Sequence, residues 1–429
     1  MMITVNEIKE RLNKRETLGR LAWLYCCDET ESRKHAERYL HVLNMLDEEY
    51  GEHETAALFS ASGRTEIGGN HTDHQHGCAV AAAINMDMIA AVSFNNQRMI
   101  RMKSESYEPC TVSLDDLDIH TEETGTSISI LRGIANAFAK KGAVLSGLDL
   151  CITSNVPGGS GISSSAAFEV LLSTIFNELF MEEKADYIEL AKISQNVENE
   201  YFGKPCGLLD QMASAAGGVI RIDFRDPKNP DVRKLEMNLK DADLAMVIVN
   251  SGADHSDLTD EYAAVPYECS LAAKQCGENY LRDVDEEVFM MKLPEIRKNC
   301  PDRAVLRAIH FFNENRRAAE EADAIADHDY VRFLELVNDS SHSSWEYLQN
   351  ITPAGAIKEQ AVAFTIALIR QILKGEGAVR VHGGGFAGTV QAFVPVNMLD
   401  EMIEKTENVL GKGSCHIMAI RPVGGIRVL

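Results

Sequence analysis

The stretch from Ser154 to Val170, SNVPGGSGISSSAAFEV, constrains this chain more than any other. It begins at the end of an apolar, β-rich run (Leu148, Leu150, Ile152) that Pro157 and Gly158 break. After the glycines and serines, Ala166 to Val170 reads as helix. A strand that enters a Gly/Ser loop and leaves as a helix aims several backbone N–H groups and a helix N-terminus at one spot, which suits an anion. Gly158, Gly159 and Gly161 let the backbone approach a phosphate with no Cβ in the way. Ser163, Ser164 and Ser165 can cap the helix, donate to phosphate oxygens or ligate hydrated Mg²⁺. The same residues also suit a plain strand-to-helix connection with a good N-cap. No Gly-Lys-Ser/Thr follows the glycines, so this is not a P-loop, and the missing third glycine excludes a dinucleotide fingerprint.

At 429 residues the chain exceeds one ordinary core, and two domains are expected. A formal charge of −23 argues against a nucleic-acid or anionic-membrane partner, so a polyanionic ligand must be held by local donors. No apolar run of signal-peptide or membrane-spanning length is present, and a cytoplasmic protein is expected. The ten cysteines show no paired spacing and read as reduced thiols.

Leucines at helical spacing predict helices over residues 1 to about 50. Strands are expected from Ala56, over Ala79–Phe94 and near Met99–Met102, then a helix over Ser127–Lys140. Further helices are read over Tyr187–Glu200 and Asp210–Ala216, and strands over Val219–Asp223 and Leu244–Val249. The chain is strongly helical from about 260 to 374, and a strand, a glycine loop, a strand, a helix and a last strand at Cys415–Arg421 close it. Strands and helices mix without a regular βαβ rhythm, which favours α+β.

Three further segments carry chemistry-bearing residues. Gly63 to Gly77 holds Arg64, Glu66, Asn70, His71, Asp73, His74 and His76. Asn70 and Asp73 can bond the hydroxyls of a polyol, and Arg64 can pair a carboxylate or phosphate. A metal site or a solvated His-rich turn are the other readings, although the spacing matches no standard zinc site. In NVENEYFGKPCGLLDQ, Glu198 ends one helix and Asp210 starts the next, placing Asp210 as a cap or a general base and Glu198 as a metal ligand. Gly383, Gly385 and Gly388 match G-x-G-x-x-G, but a strand comes after them, so a dinucleotide reading fails on context and a tight glycine loop remains.

Together these segments resemble the GHMP small-molecule kinases, and most of all the galactokinases. GRTEIGGNHTDH is similar to the galactokinase signature, VPGGSGISSSAA to the family's phosphate loop, and ENEYFGKPCGLLDQ to the segment with the catalytic aspartate. HSDLTDEY (His255 to Tyr262) resembles a sugar-contacting stretch, and VRVHGGGFAG the third family motif. The similarity runs from about Phe59 to Val394. It implies a two-domain α+β architecture, divided here at 1–225 and 226–429, with the active site between the domains. It implies an ATP-dependent sugar 1-kinase in which Arg64 and Asp210 are the catalytic pair. Asn70, His71, Asp73 and Tyr262 would contact the sugar, with Gly384 and Gly385 beside it. Gly158, Gly159, Ser160, Gly161, Ser163, Ser164 and Ser165 would wrap the ATP phosphates, and Ser165 and Glu198 would hold Mg²⁺. The resemblance leaves the oligomeric state open, a monomer included.

The chain departs from the galactokinase pattern at Ser62, Asn70 and His74, lacks a tryptophan near Ser127, and has AAVPYE after Tyr262. These departures bear on the sugar and leave the phosphate loop and catalytic pair intact. A glutamate matching Asn70 receives the C6 hydroxyl in galactokinases; an uncharged amide can accept from that hydroxyl or donate to a C6 carboxylate, with His71 or His74 adding charge. Galactose is therefore the expected substrate, with galacturonate second, and Asn70→Glu would be expected to favour galactose. A non-catalytic sugar sensor and a kinase for another GHMP substrate are the rivals. The intact SSSAA run and Asp210 argue against the sensor, and the HTD and CGLLDQ motifs against the other kinase.

Overall fold

The computed structural model describes residues 2–156, 162–253 and 258–429. Strand β1 (Ile3–Thr4) leads into helices α1 (Val5–Leu12), α2 (Arg15–Tyr25) and α3 (Glu29–Tyr50). Strands β2 (Thr55–Gly68), β3 (Cys78–Phe94), β4 (Met99–Ser104) and β5 (Cys110–Ser113) come next, then α4 (Ser127–Lys140), β6 (Leu148–Ser154), α5 (Ser164–Met181), α6 (Tyr187–Val197) and α7 (Leu209–Ala216). After them lie β7 (Val219–Asp223), β8 (Asp231–Leu235) and β9 (Leu244–Asn250), and the helices α8 (Thr259–Gln275), α9 (Glu286–Asn299), α10 (Asp302–Ala326), α11 (Tyr330–Ser343) and α12 (Ala361–Leu373). The chain closes with β10 (Ala378–Val381), β11 (Thr389–Pro395), α13 (Leu399–Leu410), β12 (Cys415–Met418) and β13 (Ile426–Arg427). The protein is α+β, as its sequence predicts.

The long strands β2 and β3 organise the molecule, and their alternation explains why. Successive side chains of a strand point to opposite faces. Ala57, Phe59 and Ala61 of β2, with Ala79, Ala81, Ala90 and Val92 of β3, pack into one core with α4–α7. Ala56, Leu58, Ile89 and Ala91 face the other way and pack under α1–α3. Both faces are covered, which is why β2 is buried almost throughout. The first 50 residues are therefore the second layer of the sheet. At their far ends, Ile67, Val80, Ala82 and Ile84 join a third core with α10, α11 and β9.

Among the described residues, one sheet contains β1–β8 and β13, and a second runs β10-β11-β9-β12. The division expected after residue 225 is crossed twice, because β8 pairs with β7 and the terminal β13 pairs with β2. Two-residue and edge strands of this kind carry no periodicity that a sequence can show.

The point where the layers meet is Asp87, which is fully buried. It accepts hydrogen bonds from Tyr25 Oη at 2.5 Å and Arg38 Nη1 at 3.0 Å on the N-terminal helices. It also accepts from Ser60 of β2 and from the buried Arg421 Nη1 at 3.2 Å near the C-terminus. All ten cysteines are free thiols. No helix among the described residues is long and apolar enough to cross a membrane.

One buried acid is only partly compensated, by the charges of Arg380 and Arg317. Glu321 of α10 is fully buried and neither carboxyl oxygen has a hydrogen-bond partner. Burial, with the carboxylate of Glu314 nearby, pushes its pKa well above the usual range. A carboxyl raised in the folded state loses stability as pH climbs above the unfolded value. Glu321→Leu is therefore expected to stabilise the protein by about 1–3 kcal/mol, with the gain larger at pH 8 than at pH 5. Urea unfolding at the two pH values measures this, and an equal gain at both would remove ionisation as the cause.

Candidate active site

The site assembles where β2 bends. Its pairing with β3 shifts register between Ser62 and Arg64, a bulge of the kind that re-aims a side chain. Arg64 there meets Asp210, in the first turn of α7, through two parallel bonds: Nε to Oδ1 at 2.6 Å and Nη2 to Oδ2 at 2.7 Å. The Ser163 hydroxyl donates to the same Oδ2. Arg64 is nearly buried, whereas the Asp210 side chain is 33% exposed, so the carboxylate faces an opening. Burial would raise the Asp210 carboxyl, but the Arg64 guanidinium and the bonds from Arg64 and Ser163 hold it below the usual carboxylate range.

The far end of the Gly/Ser loop lies against this pair. Ile162 O accepts from the Arg64 backbone N–H at 3.2 Å. Ser163 takes a left-handed conformation (φ 57°) and hands the chain to α5, whose first turn carries Ser164 and the exposed Ser165. Ser163, expected on a phosphate, is thus engaged with Asp210. Gly158, Gly159, Ser160 and Gly161 lie outside the described residues, as does His255.

The polar turn after β2 packs against the same helix. The Asp73 carboxylate lies so close to Gly207, just before α7, that a Cβ there would sit 2.3 Å from Oδ2. His71 donates from Nε2 to Gly384 O at 2.8 Å; since a carbonyl only accepts, the proton is on Nε2, and Nδ1 is a buried acceptor with no partner. Burial, and the neighbouring His74, lower its pKa to about 4, so His71 is neutral at pH 7. Tyr262 donates to Gly385 O at 2.9 Å and lays its ring against Gly384, where a Cβ would come within 2.4 Å of it. His76 instead stacks on Tyr280. Among the described residues no cluster of three or more His, Cys, Asp or Glu side chains is placed to hold a metal.

Asn70 requires a correction. Its side chain is fully buried and spent on the protein: Nδ2 donates to Glu66 Oε1 at 2.9 Å and Gly383 O at 2.7 Å, and Oδ1 accepts from Asn350 Nδ2 at 2.8 Å. It braces the glycine loop and has no donor left to offer a C6 carboxylate. Asn70→Glu would set a carboxylate against Glu66 and the Gly383 carbonyl. The variant is expected to melt lower and raise the sugar KM about tenfold, where the sequence alone predicts a shift of preference from galacturonate toward galactose. Melting and steady-state kinetics check it; an improved sugar KM would return residue 70 to the pocket.

Several partners carry no sequence signal. Asn350 also donates to Gly384 O at 3.1 Å, and its own carbonyl accepts from Phe386 N. His382 bridges Thr389 and Thr65, and Glu66 pairs with the fully buried Arg380 at 2.7 Å. Glu198 opens a π-helical turn (Glu198–Phe202) after α6, and a second such turn (Ser344–Leu348) precedes Asn350. Each turn inserts a residue into the helical period and so re-aims the side chains beyond it. The Glu198 carboxylate is buried, accepts from Gln211 Nε2 at 2.7 Å and lies 3.5 Å from Lys204 Nζ.

Comparison with known proteins finds two family matches and several similar structures. Residues 129–218 match the model of the GHMP kinases N-terminal domain, and residues 46–94 match the galactokinase galactose-binding signature. The structure of Lactococcus lactis galactokinase complexed with galactose is similar with a TM-score of 0.76 at 22% identity, over 90% of this chain and 98% of that one. Methanococcus jannaschii mevalonate kinase gives 0.61 at 14% identity, over 86% and 99%. A D-glycero-D-manno-heptose 1-phosphate kinase from Bacteriodes thetaiotaomicron gives 0.58 at 15%, over 86% and 97%. At these identities the structural likeness speaks for the fold. Residues 129–218 thus carry a GHMP-kinase-type N-terminal domain, set in a fold that solved small-molecule kinases share. Within that class the chain is galactokinase-like, since it also carries the galactose-binding signature.

Proposed function

We propose that this protein is an ATP-dependent sugar 1-kinase whose substrate is galactose. The observation that carries the proposal is the two-bonded Arg64–Asp210 pair, which joins the end of the Gly/Ser loop to the sugar-signature turn. Phosphoryl transfer asks a protein for positioning, charge neutralisation and an oriented hydroxyl. Asp210, kept ionised by Arg64, accepts the proton of the anomeric hydroxyl as that oxygen attacks the γ-phosphate. Asp73, His71 and Tyr262 hold the sugar, with the backbone at Gly384 and Gly385 lining its far side. Gly158 to Gly161 and the start of α5, including Ser164 and Ser165, receive the ATP phosphates.

Ser165 and Glu198 would hold Mg²⁺, which screens the phosphate charge when bound. An orphaned oxygen beside Glu198, Gln211 Oε1, fits a site that takes a cation. A neutral His71 and a committed Asn70 lend no charge to a C6 carboxylate, which favours galactose over galacturonate. ADP release measured with galactose, galacturonate, N-acetylgalactosamine, arabinose and glucose tests the reading. Galactose is expected to give the highest kcat/KM, and a preference for galacturonate would reverse the substrate assignment. Sugar binding without ADP release from any of the five would mark a sensor.

A further inference from the structure

We infer that Glu169 is a second carboxylate of the magnesium site, acting with Glu198. The inference rests on the proposed kinase reading. It concerns a residue that neither the sequence motifs nor the family resemblance places there.

Three observations converge. Glu169 lies four residues after Ser165 on α5, one helical turn on, so the two side chains rise on the same helix face. A single amide nitrogen then joins Glu169 to Glu198: Gln211 Nε2 donates to Glu169 Oε2 at 3.0 Å and to Glu198 Oε2 at 2.7 Å. Lastly, the buried acceptors outnumber the cations and donors beside them. Glu169, Glu198 and Gln211 are 1%, 3% and 1% exposed, and Gln211 Oε1 is buried with no partner. The ammonium nearest to Glu198, that of Lys204, is 63% exposed. Two buried carboxylates and an orphaned carbonyl oxygen have beside them one amide, the Cys206 thiol and a mostly exposed lysine, which leaves them short of a buried cation. Hard oxygen donors of this kind are what Mg²⁺ takes.

Gln211 follows Asp210 directly, so one turn of α7 carries both the proposed base and the amide that spaces the two carboxylates. Glu169 would therefore fix where the metal sits relative to Asp210.

The test is a Mn²⁺ titration of the full chain saturated with ADP, read by electron paramagnetic resonance of free Mn²⁺, for wild type, Glu169→Gln and Glu198→Gln. Wild type is expected to bind, Glu198→Gln to lose most affinity, and Glu169→Gln to bind about 10–100-fold more weakly. Melting of each variant in EDTA guards against misfolding; Glu169→Gln is expected to melt no lower than wild type, since it removes one of two crowded carboxylates. Wild-type Mn²⁺ affinity in Glu169→Gln, with affinity lost in Glu198→Gln, would overturn the role of Glu169 alone. Absence of protein-bound Mn²⁺ in wild type would overturn both this inference and the metal assignment beneath it.

Discussion

Replacing Asp210 with asparagine is expected to lower kcat by about 10²–10⁴-fold while the fold and the sugar affinity are kept. Asparagine preserves the shape of the side chain and one acceptor toward Arg64, but it cannot take the proton of the attacking hydroxyl. The electrostatics supply an independent readout. Burial raises the Asp210 carboxyl and Arg64 more than offsets it, so wild-type Asp210 stays ionised throughout the neutral range. Arg64→Leu removes that counterweight, burial then prevails, and the acid limb of the pH–rate profile moves up toward neutrality. Near-wild-type turnover in Asp210→Asn, or an unmoved acid limb in Arg64→Leu, would take the pair out of the chemistry.

The second large effect is on stability. Asp87→Asn is expected to cost about 3–5 kcal/mol, because it leaves the buried Arg421 and the largely buried Arg38 without their shared counter-charge. Burial opposes the Asp87 carboxylate, but Arg38, Arg421 and the bonds from Ser60 and Tyr25 hold its pKa below the usual value. Stability from such a group is present above the unfolded carboxylate pKa and is lost as pH falls through the folded one. The difference between wild type and Asp87→Asn in urea unfolding should therefore shrink in acid. A constant difference from pH 7 down to pH 3 would mean that ionisation of Asp87 is not what holds the layers together.

How much of this was legible from residues alone depends on distance along the chain. The switch from strand to helix around Pro157 is a local change of period, and β6 and α5 lie where it places them. Helix α4 is found over Ser127–Lys140, the residues its pattern predicts. Arg64 and Asp210 stand in motifs, and the structure brings them together across 146 residues. The role of Asn70 was hidden because its partners Gly383 and Asn350 are 313 and 280 residues away. The partner of the N-terminal helices was hidden too. Leucine spacing puts Leu21 and Leu24 on one apolar face of α2, but the alanine alternation of β2 and β3 does not say which element covers which side. The π turns at Glu198 and Ser344 break the helical period, so no period-based reading finds them.

The most direct measurement of the central claim is ³¹P NMR of the product formed from galactose and ATP. The account predicts one mole of ADP per mole of sugar phosphate, with the phosphorus coupled to the anomeric proton of galactose 1-phosphate. Phosphate on any other hydroxyl, or ATP hydrolysis without a sugar phosphate, would contradict it.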